Sequence, residues 1–288
     1  MTSRDQVILL SRGCRLGFAE YGDPTGEPVL YFHGTPSSRL LHPDEEITRS
    51  LGARLIILER PGFGLSDFQP GRRLLDWPDD VVEAADQLGL GRFAVVGPSG
   101  GGPYVAACAY KMPERLTAAA MVGSAGPVDM PGATEGMPRV RRAGAAIGRK
   151  APGLLRPLMW LLQNPGRDSR RFFDQYTAHN LEPDRALLSQ PRFREMLQSS
   201  YAESARRGVR GFAWEVRIIS QPWGFRLEDI AMTVDLWHGD QDTSTPLAIA
   251  QFMADALPNR RTHFLAGEGH LLLFNRWSEL LSTLLSPP

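Results

Sequence analysis

The pentad Gly97-Pro98-Ser99-Gly100-Gly101 is the stretch of the sequence whose residue types and spacing point most directly to chemistry. A serine with glycines two positions before and after it fits a sharp strand-to-helix turn that exposes the hydroxyl. Such a turn needs neighbours without a Cβ, and Gly97 and Gly101 meet that need. We therefore predict that Ser99 is a nucleophile and that the backbone N–H of Gly100 is one oxyanion donor.

A serine nucleophile needs a base that takes its proton. His270 ends the glycine-containing stretch 267–270, which directly follows an apolar, strand-like run. A loop after a strand can carry a catalytic group to the edge of a sheet, so we predict that His270 is the base. The other histidines are expected to be structural or to lie away from the site; they are His33, His42, His179, His238 and His263.

The base needs an orienting carboxylate, and the stretch 237–246 offers two. Asp242 stands three residues after Gly239 and four before Pro246, which opens the next predicted helix. This position places it in a loop facing the site, so we predict Asp242 as the acid. Asp240 lies nearer the strand end and is expected to stabilise a turn.

A second oxyanion donor should come from the loop after the third predicted strand, which reads His33-Gly34-Thr35-Pro36. We predict that Thr35 supplies its backbone N–H there and that Gly34 supports the loop. The side chain of His33 is better placed to brace this loop than to act in catalysis.

These residues require a scaffold of strands separated by helices. Apolar runs predict eight strands, at 6–10, 15–20, 28–32, 54–58, 93–96, 116–122, 233–237 and 261–265. The first two form an antiparallel pair, and near-continuous apolar runs such as 28–32 are typical of strands buried on both faces. Helical spacing of apolar residues follows in the stretches 77–88, 104–112, 249–257 and 273–284. The alternation predicts an α/β fold with a mostly parallel sheet.

Residues 127–225 interrupt this alternation with few β-branched residues, many arginines and frequent proline or glycine. Short helices are predicted at 154–163, 191–207 and 212–219. We therefore predict a helical lid at 127–225, inserted into an α/β core made of residues 1–126 and 226–288.

The chain has 288 residues, 42% of them hydrophobic, and a mean hydropathy of −0.23, which suits one large domain with an insertion. Its 32 Lys+Arg balance 32 Asp+Glu, which argues against a nucleic-acid partner. The balance is uneven along the chain: residues 127–225 hold 16 basic and 9 acidic residues, a net charge of +7, and the remainder carries −7. We expect this contrast to help hold a basic lid on an acidic core.

No stretch approaches the roughly 20 apolar residues of a membrane span, and the N-terminal run 7–10 is too short for a signal peptide. We therefore expect a cytoplasmic protein without a membrane span. Cys14 and Cys108 lie 94 positions apart, and no cluster has zinc-ligand spacing. The sequence thus indicates no disulfide framework, no metal and no organic cofactor.

Five motifs in order along the chain resemble the α/β-hydrolase superfamily. They are His-Gly-Thr-Pro at 33–36, Arg-Pro-Gly-Phe-Gly-x-Ser-Asp at 60–67, the pentad at 97–101, Gly-x-x-Asp-x-x-x-Pro at 239–246 and Gly-x-Gly-His at 267–270. The resemblance covers nearly the whole chain. It implies the α/β-hydrolase fold, an eight-stranded, mostly parallel sheet flanked by helices with a lid after the sixth strand. It also implies a triad of Ser99, Asp242 and His270.

Within the superfamily, the motifs are similar to the branch that contains proline iminopeptidases and small esterases. Iminopeptidases usually carry His-Gly-Gly-Pro-Gly at the oxyanion loop, whereas this chain has His-Gly-Thr-Pro-Ser at 33–37. Haloalkane dehalogenases and epoxide hydrolases carry an aspartate where this chain has Ser99. The resemblance also implies that Arg60 and Asp67 hold the loop after the fourth strand in shape.

The leading hypothesis is a serine hydrolase that cleaves a carboxylic ester, with lactones included, of a hydrophobic small molecule through an acyl-enzyme. Large apolar side chains of the lid are expected to line the pocket in part. One alternative is an iminopeptidase-like amide hydrolase, for which Glu203 or Glu215 would have to hold a substrate ammonium group. A second is a non-hydrolytic lyase or binding protein on the same fold. The oligomeric state is left open.

Overall fold

An eight-stranded sheet forms the centre of the computed structural model, which describes residues 5–127, 137, 139–162, 170, 174 and 182–286. In chain order the strands are β1 (Gln6–Leu9), β2 (Arg15–Gly22), β3 (Glu27–Phe32), β4 (Ala53–Leu58), β5 (Phe93–Pro98), β6 (Leu116–Val122), β7 (Val234–Gly239) and β8 (Arg260–Leu265). Their spatial order is β1-β2-β4-β3-β5-β6-β7-β8. β2 is antiparallel to both of its neighbours, and every other neighbouring pair is parallel. The predicted α/β class with a mostly parallel eight-stranded sheet is confirmed.

Helices cover both faces of this sheet. In the described part of the chain they are α1 (Glu45–Ser50), α2 (Trp77–Gln87), α3 (Gly102–Lys111), α4 (Arg139–Lys150), α5 (Leu155–Leu162), α6 (Glu182–Leu188), α7 (Pro191–Ser204), α8 (Arg210–Ile219), α9 (Leu247–Ala256), α10 (Leu272–Asn275) and α11 (Trp277–Leu285). α2, α3 and α9 pack on one face, and α1 and α11 on the other. None of these helices is both long enough and apolar enough to cross a bilayer.

The central strands are buried on both faces, because successive side chains of a strand point to opposite sides. In β3, Leu30 and Phe32 belong to the cluster that contains α2 and α3, whereas Val29 and Tyr31 belong to the one that contains α11. All four side chains are at most 1% exposed. This two-sided burial explains why the strand has an almost continuous apolar sequence.

The carboxyl ends of β3, β5, β6, β7 and β8 lie side by side at one edge of the sheet, because these strands are parallel neighbours. His33 and Ser99 directly follow β3 and β5, and Gly123 follows β6. The loops after β7 and β8 carry Asp242 and His270. The topology therefore collects these residues at the edge where open α/β sheets bind their ligands.

Between β6 and β7 the chain leaves the sheet for residues 127–225, which we call the insert. Its regular elements are helical, with no strand in its described part. The three helices predicted there correspond to α5, α7 and α8, with ends that agree to within three residues. The boundaries that divide the chain into core and lid remain a prediction.

The predicted helical face from Leu273 to Leu284 is divided in the structure, so the prediction of one continuous helix is wrong. Arg276, between α10 and α11, leaves helical geometry with φ −111° and ψ 20°. Its guanidinium donates to Glu268 Oε1 at 2.7 Å. Apolar spacing continues through this residue, so periodicity alone does not reveal the break.

Gly101 lies so close to β3 that an added Cβ would stand 1.9 Å from the carbonyl oxygen of Phe32. We expect Gly101→Ala to lower the free energy of unfolding by about 1–3 kcal/mol, because the backbone of either the turn or the strand must move. Urea unfolding of the variant measures this loss. Gly91→Ala is the matched control, since an added Cβ there meets nothing within 4 Å. Equal stability of the two variants would contradict the close approach.

Candidate active site

Ser99 occupies a strained turn between β5 and α3. The residue has a φ of +52°, and it is the one non-glycine residue with positive φ in the described part of the chain. Left-handed backbone geometry is unfavourable for a side chain with a Cβ, so this conformation is held by its surroundings. A Cβ added at Gly97 would lie 2.5 Å from the carbonyl oxygen of Gly101, so the turn closes only with glycine there. The serine side chain stands half-buried at the tip of the turn.

Asp242 and His270 form a buried hydrogen-bonded pair beside this turn. His270 Nδ1 lies 2.7 Å from Asp242 Oδ2, and the side chains are 4% and 0% exposed. A carboxylate can only accept a hydrogen bond, so Nδ1 carries the proton and Nε2 keeps its lone pair. The pair therefore has the tautomer that a general base needs.

The Asp242 carboxylate is held in its charged form. Its Oδ1 accepts from the backbone N–H groups of Ser244 and Thr245 at 2.7 and 2.8 Å, and Oδ2 lies 2.7 Å from the Thr245 hydroxyl. Burial disfavours the charged carboxylate, but the electrostatic interaction with the His270 ring and the hydrogen bond from this ring outweigh burial. Together with these other donors, they lower the pKa of Asp242 to about 2.

Gly123 brings the end of β6 against this pair. An added Cβ at this residue, whose φ is +50°, would lie 3.3 Å from Asp242 Oδ2 and 3.5 Å from His270 Nδ1. The Thr245 hydroxyl also lies 2.9 Å from the Gly123 carbonyl oxygen. Sequence reasoning missed both residues. The available signal for Gly123 is a glycine directly after an apolar strand, at the edge where the site assembles.

The loop after β3 lies against the serine turn. A Cβ added at Gly100 would stand 2.3 Å from the hydroxyl oxygen of Thr35, and one added at Gly34 would stand 3.7 Å from Ser99 Cβ. Ile219, the last residue of α8, reaches to 3.4 Å from the same position at Gly100. The two segments predicted to carry the oxyanion donors are therefore adjacent, and the insert touches them.

His33 is fully buried in a bracing position. The backbone N–H of Arg60 donates to its Nε2 at 3.1 Å, so Nδ1 carries the proton and donates to the Gly34 carbonyl at 2.8 Å. Burial and the charge of Arg60 hold the pKa of His33 well below its usual range. The neutral imidazole thus links the loop after β3 to the loop after β4.

The side chain of Arg60 does not lie where the sequence led us to expect. It was expected to shape its own loop, yet its guanidinium lies on the loop after β3 and is completely buried. Nη2 donates to the Gly34 carbonyl at 3.1 Å and to the Thr35 hydroxyl at 2.9 Å, and Nη1 donates to the His33 carbonyl. Nε donates to Glu215 of the insert at 2.7 Å.

In its described part, the insert is anchored to the core through acids with little exposure, the reverse of the electrostatics expected from net charge. Asp184 accepts the backbone N–H groups of His270 and Leu271 at 3.0 and 2.8 Å. Glu203 forms an ion pair with Arg39 of the core at an N–O distance of 2.6 Å. Glu215 forms ion pairs with Arg60 at 2.7 Å and with Arg72 at 2.5 Å. The net charges suggested basic insert residues on an acidic core. Arg207–Asp67 is such a pair, at 2.9 Å, but its side chains are 35% and 27% exposed.

The remaining polar candidates have structural contacts. His238 Nε2 lies 2.7 Å from the Thr245 carbonyl oxygen, and burial lowers its pKa. His263 stacks on Trp237 and lies 2.9 Å from Asp235. The Asp240 carboxylate accepts a hydrogen bond from the backbone N–H of Gly267 at 2.8 Å. The ring of His42 stacks on that of Tyr21. His179 lies outside the described residues.

Large apolar residues of the insert are divided between packing and exposure. Trp214, Trp223 and Phe225 pack on the main core cluster, while Trp160 is 57% exposed. Three other large apolar residues of the insert lie outside the described residues, namely Phe172, Phe173 and Tyr176. Their role in lining a pocket stays a prediction. Across the described residues, no group of three or more His, Cys, Asp or Glu side chains could hold a metal ion.

Comparison with known proteins gives matches over most of the chain. A family model described as the α/β hydrolase fold matches residues 27–276. The chain is 24% identical over 272 residues to a proline iminopeptidase of Lactobacillus delbrueckii subsp. bulgaricus, covering 88% of each protein. It is 30% identical over 125 residues to a candidate non-heme haloperoxidase of Mycobacterium phage D29, but this match spans 42% of the chain and 44% of that protein. The crystal structure of an esterase from Rhodococcus sp. ECU1013 superposes with a TM-score of 0.72 at 17% identity, covering 99% of this chain and 100% of that one.

Asp184 is 2% exposed and both of its oxygens accept backbone N–H groups beside His270. We expect Asp184→Asn to lower the free energy of unfolding by about 1–3 kcal/mol, because the amide NH₂ must face one of these N–H donors. Chemical unfolding measures the loss. Glu182→Gln, an exposed position on the same helix, is the control and should change stability by less than about 0.5 kcal/mol. The two variants having the same stability would contradict the anchoring role.

The lowered pKa of Asp242 predicts a pH-dependent stability difference. Its folded-state pKa is about 2 against an ordinary 3.8, so its stabilisation is complete above the unfolded value and is lost as the pH falls towards 2. We expect the stability advantage of wild type over Asp242→Asn to shrink by about 1 kcal/mol between pH 5 and pH 3. Urea unfolding at both pH values measures it, and an advantage that stays constant would refute the lowered pKa.

Proposed function

The chain belongs to the α/β-hydrolase family, and on this premise we propose that it is a serine hydrolase cleaving a carboxylic ester of a hydrophobic small molecule. Lactones fall within the same chemistry. The observation that carries the proposal is the 2.7 Å bond between His270 Nδ1 and Asp242, at the same edge of the sheet as a serine held at positive φ after β5. An imidazole with a free Nε2 beside a strained serine supports nucleophilic catalysis.

In the proposed mechanism, His270 Nε2 takes the proton of the Ser99 hydroxyl as its oxygen attacks the ester carbonyl carbon. The backbone N–H groups of Thr35 and Gly100 stabilise the oxyanion of the tetrahedral intermediate. His270 then protonates the leaving alcohol, and an acyl-enzyme remains. His270 Nε2 takes a proton from water as the water oxygen attacks the acyl carbon. The carboxylic acid leaves as the bond to Ser99 Oγ breaks, and His270 returns the proton to this oxygen. Asp242 keeps the imidazole oriented through both steps.

The contacts of the insert favour an uncharged ester over a substrate with a free amino group. An iminopeptidase-like enzyme would need a carboxylate to hold the substrate ammonium, and the sequence offered Glu203 and Glu215. Both are ion-paired with core arginines, and Asp184 accepts two backbone N–H groups. A carboxylate that already neutralises a buried arginine would leave that charge uncompensated if it turned to a substrate. The sequence identity to a proline iminopeptidase therefore supports membership of the same family more than it supports the same substrate.

The nucleophile is tested by covalent labelling with a fluorophosphonate that targets activated serines. We expect a single adduct at Ser99, detected by peptide mass spectrometry, that disappears in Ser99→Ala. Labelling should slow by at least about 100-fold in His270→Ala, because the hydroxyl loses its base. Ser189→Ala, at the exposed serine that follows α6, is a control that should be labelled at the same rate as wild type. Equal labelling rates for wild type and His270→Ala would refute the mechanism.

Substrate class is tested by comparing turnover of aryl esters and prolyl arylamides under the same conditions. We expect kcat/KM for the esters to exceed that for the arylamides by at least about 100-fold, a difference of about 2.7 kcal/mol in transition-state stabilisation. Ser99→Ala controls for background hydrolysis. The reverse preference would favour an iminopeptidase-like enzyme. Saturable binding of esters without turnover would favour a binding protein or a lyase.

A further inference from the structure

The insert contributes one carboxylate, that of Glu215, which binds Arg60 beside the loop of Thr35 and Tyr104 on the helix that follows Gly100. We propose that Glu215 is a positioning residue, which fixes the loop 33–35 relative to α3 and thereby sets the separation of the Thr35 and Gly100 N–H groups. The proposal rests on the proposed function for its catalytic consequence. The geometry that supports it is independent of any substrate.

On one side, Glu215 acts through Arg60. Its Oε1 accepts from Arg60 Nε at 2.7 Å, and the other two nitrogens of this guanidinium donate to the backbone carbonyls of His33 and Gly34 and to the Thr35 hydroxyl. Arg60 and Glu215 are both 0% exposed. A planar guanidinium has its donors in a fixed fork, so holding Nε with the carboxylate also sets the direction of its bonds to the loop.

On the other side, Glu215 holds the helix that follows the nucleophile. Its Oε2 accepts from the Tyr104 hydroxyl at 2.9 Å and from Arg72 Nη2 at 2.5 Å, and Arg72 Nη1 lies 2.9 Å from the same hydroxyl. Tyr104 is fully buried on α3, whose first turn follows Gly100. The two oxygens of one carboxylate thus bridge the loop of Thr35 and the helix of Gly100.

The charges in this cluster make the bridge rigid. Two buried guanidinium groups, of Arg60 and Arg72, share the single negative charge of Glu215, and the neighbouring His33 is held neutral. Moving the carboxylate would leave two cations without compensation in a site that excludes water. The ring of Tyr104 also stacks beneath Arg60, with the guanidinium carbon 4.8 Å from the ring centre. The insert helix α8 is therefore coupled to the oxyanion hole by charge as well as by packing.

The test compares Glu215→Gln with Glu203→Gln. Glu203 is also an insert acid paired with a core arginine, but its partner Arg39 lies four residues beyond Thr35. Sites are counted by the end point of fluorophosphonate labelling, so that kcat refers to active enzyme alone. We expect Glu215→Gln to lower kcat on an aryl ester roughly 10- to 100-fold with little change in KM, less than the loss of about 100- to 1,000-fold on removing an oxyanion donor. Glu203→Gln should keep the kcat of wild type.

An inhibitor that imitates the oxyanion separates positioning from general destabilisation. A trifluoromethyl ketone adds to the serine hydroxyl and places a negative oxygen in the oxyanion hole. Its Ki should rise in Glu215→Gln by the same factor by which kcat/KM falls, since both depend on transition-state geometry. A lowered Tm with unchanged kcat per labelled site and unchanged Ki would overturn the proposal, because that pattern belongs to a purely structural residue.

Two further measurements keep the proposal testable if Glu215→Gln does not fold or if wild type does not cleave esters. Tyr104→Phe removes one bond to Oε2 without stranding a charge, and it should lower kcat about 3- to 10-fold. Amide hydrogen exchange, read in peptides covering residues 32–38 and 99–105, does not depend on turnover. Exchange there should quicken at least about 5-fold in Glu215→Gln or Tyr104→Phe and stay unchanged in Glu203→Gln. Unchanged exchange would overturn the positioning role, whereas failure of wild type to cleave esters with altered exchange would count against the proposed function alone.

Discussion

The close approach of two backbones organises this site. The serine turn packs against the end of β3 so tightly that no Cβ fits at Gly101, and the turn closes on itself so tightly that none fits at Gly97. Ser99 is thereby forced to a positive φ, which directs its side chain away from the sheet. Because β3 and β5 are parallel neighbours, the same contact brings the loop of Thr35 beside Gly100. The positions of Ser99 and of both predicted oxyanion donors follow from one packing constraint.

The described part of the insert contacts the candidate site by holding loops of the core. Two of its buried acids, on different helices, bind core segments at the site: Asp184 binds the backbone beside His270, and Glu215 binds Arg60. Buried carboxylates are stable only where donors or cations satisfy them. Their burial therefore couples the placement of the insert to the geometry of the site.

Net charge was a poor guide to this arrangement. The insert carries +7 and the remainder −7, yet the buried pairs join insert acids to core arginines. Among the described residues, Arg207 of the insert pairs with Asp67 of the core, and both side chains are partly exposed. Such solvated pairs contribute little to stability. The contact between insert and core depends on which few charged side chains are buried, and amino-acid composition does not show which ones these are. Glu215 shows this plainly, because its sequence neighbours suggest an ordinary helix surface while the structure buries it completely.

Local pattern alone determined the strands, most helices and the neighbourhood of Ser99, Asp242 and His270. Apolar periodicity and glycine spacing are short-range properties, and they carry over directly into a parallel sheet whose carboxyl ends meet at one edge. Only the tertiary structure decided the roles of Arg60, Gly123 and the insert acids. Their partners lie 25 to 164 positions away along the chain, and a hydrogen bond between such distant residues depends on how layers pack. The sequence thus determines what each element is, and packing decides which buried charges hold the elements in register.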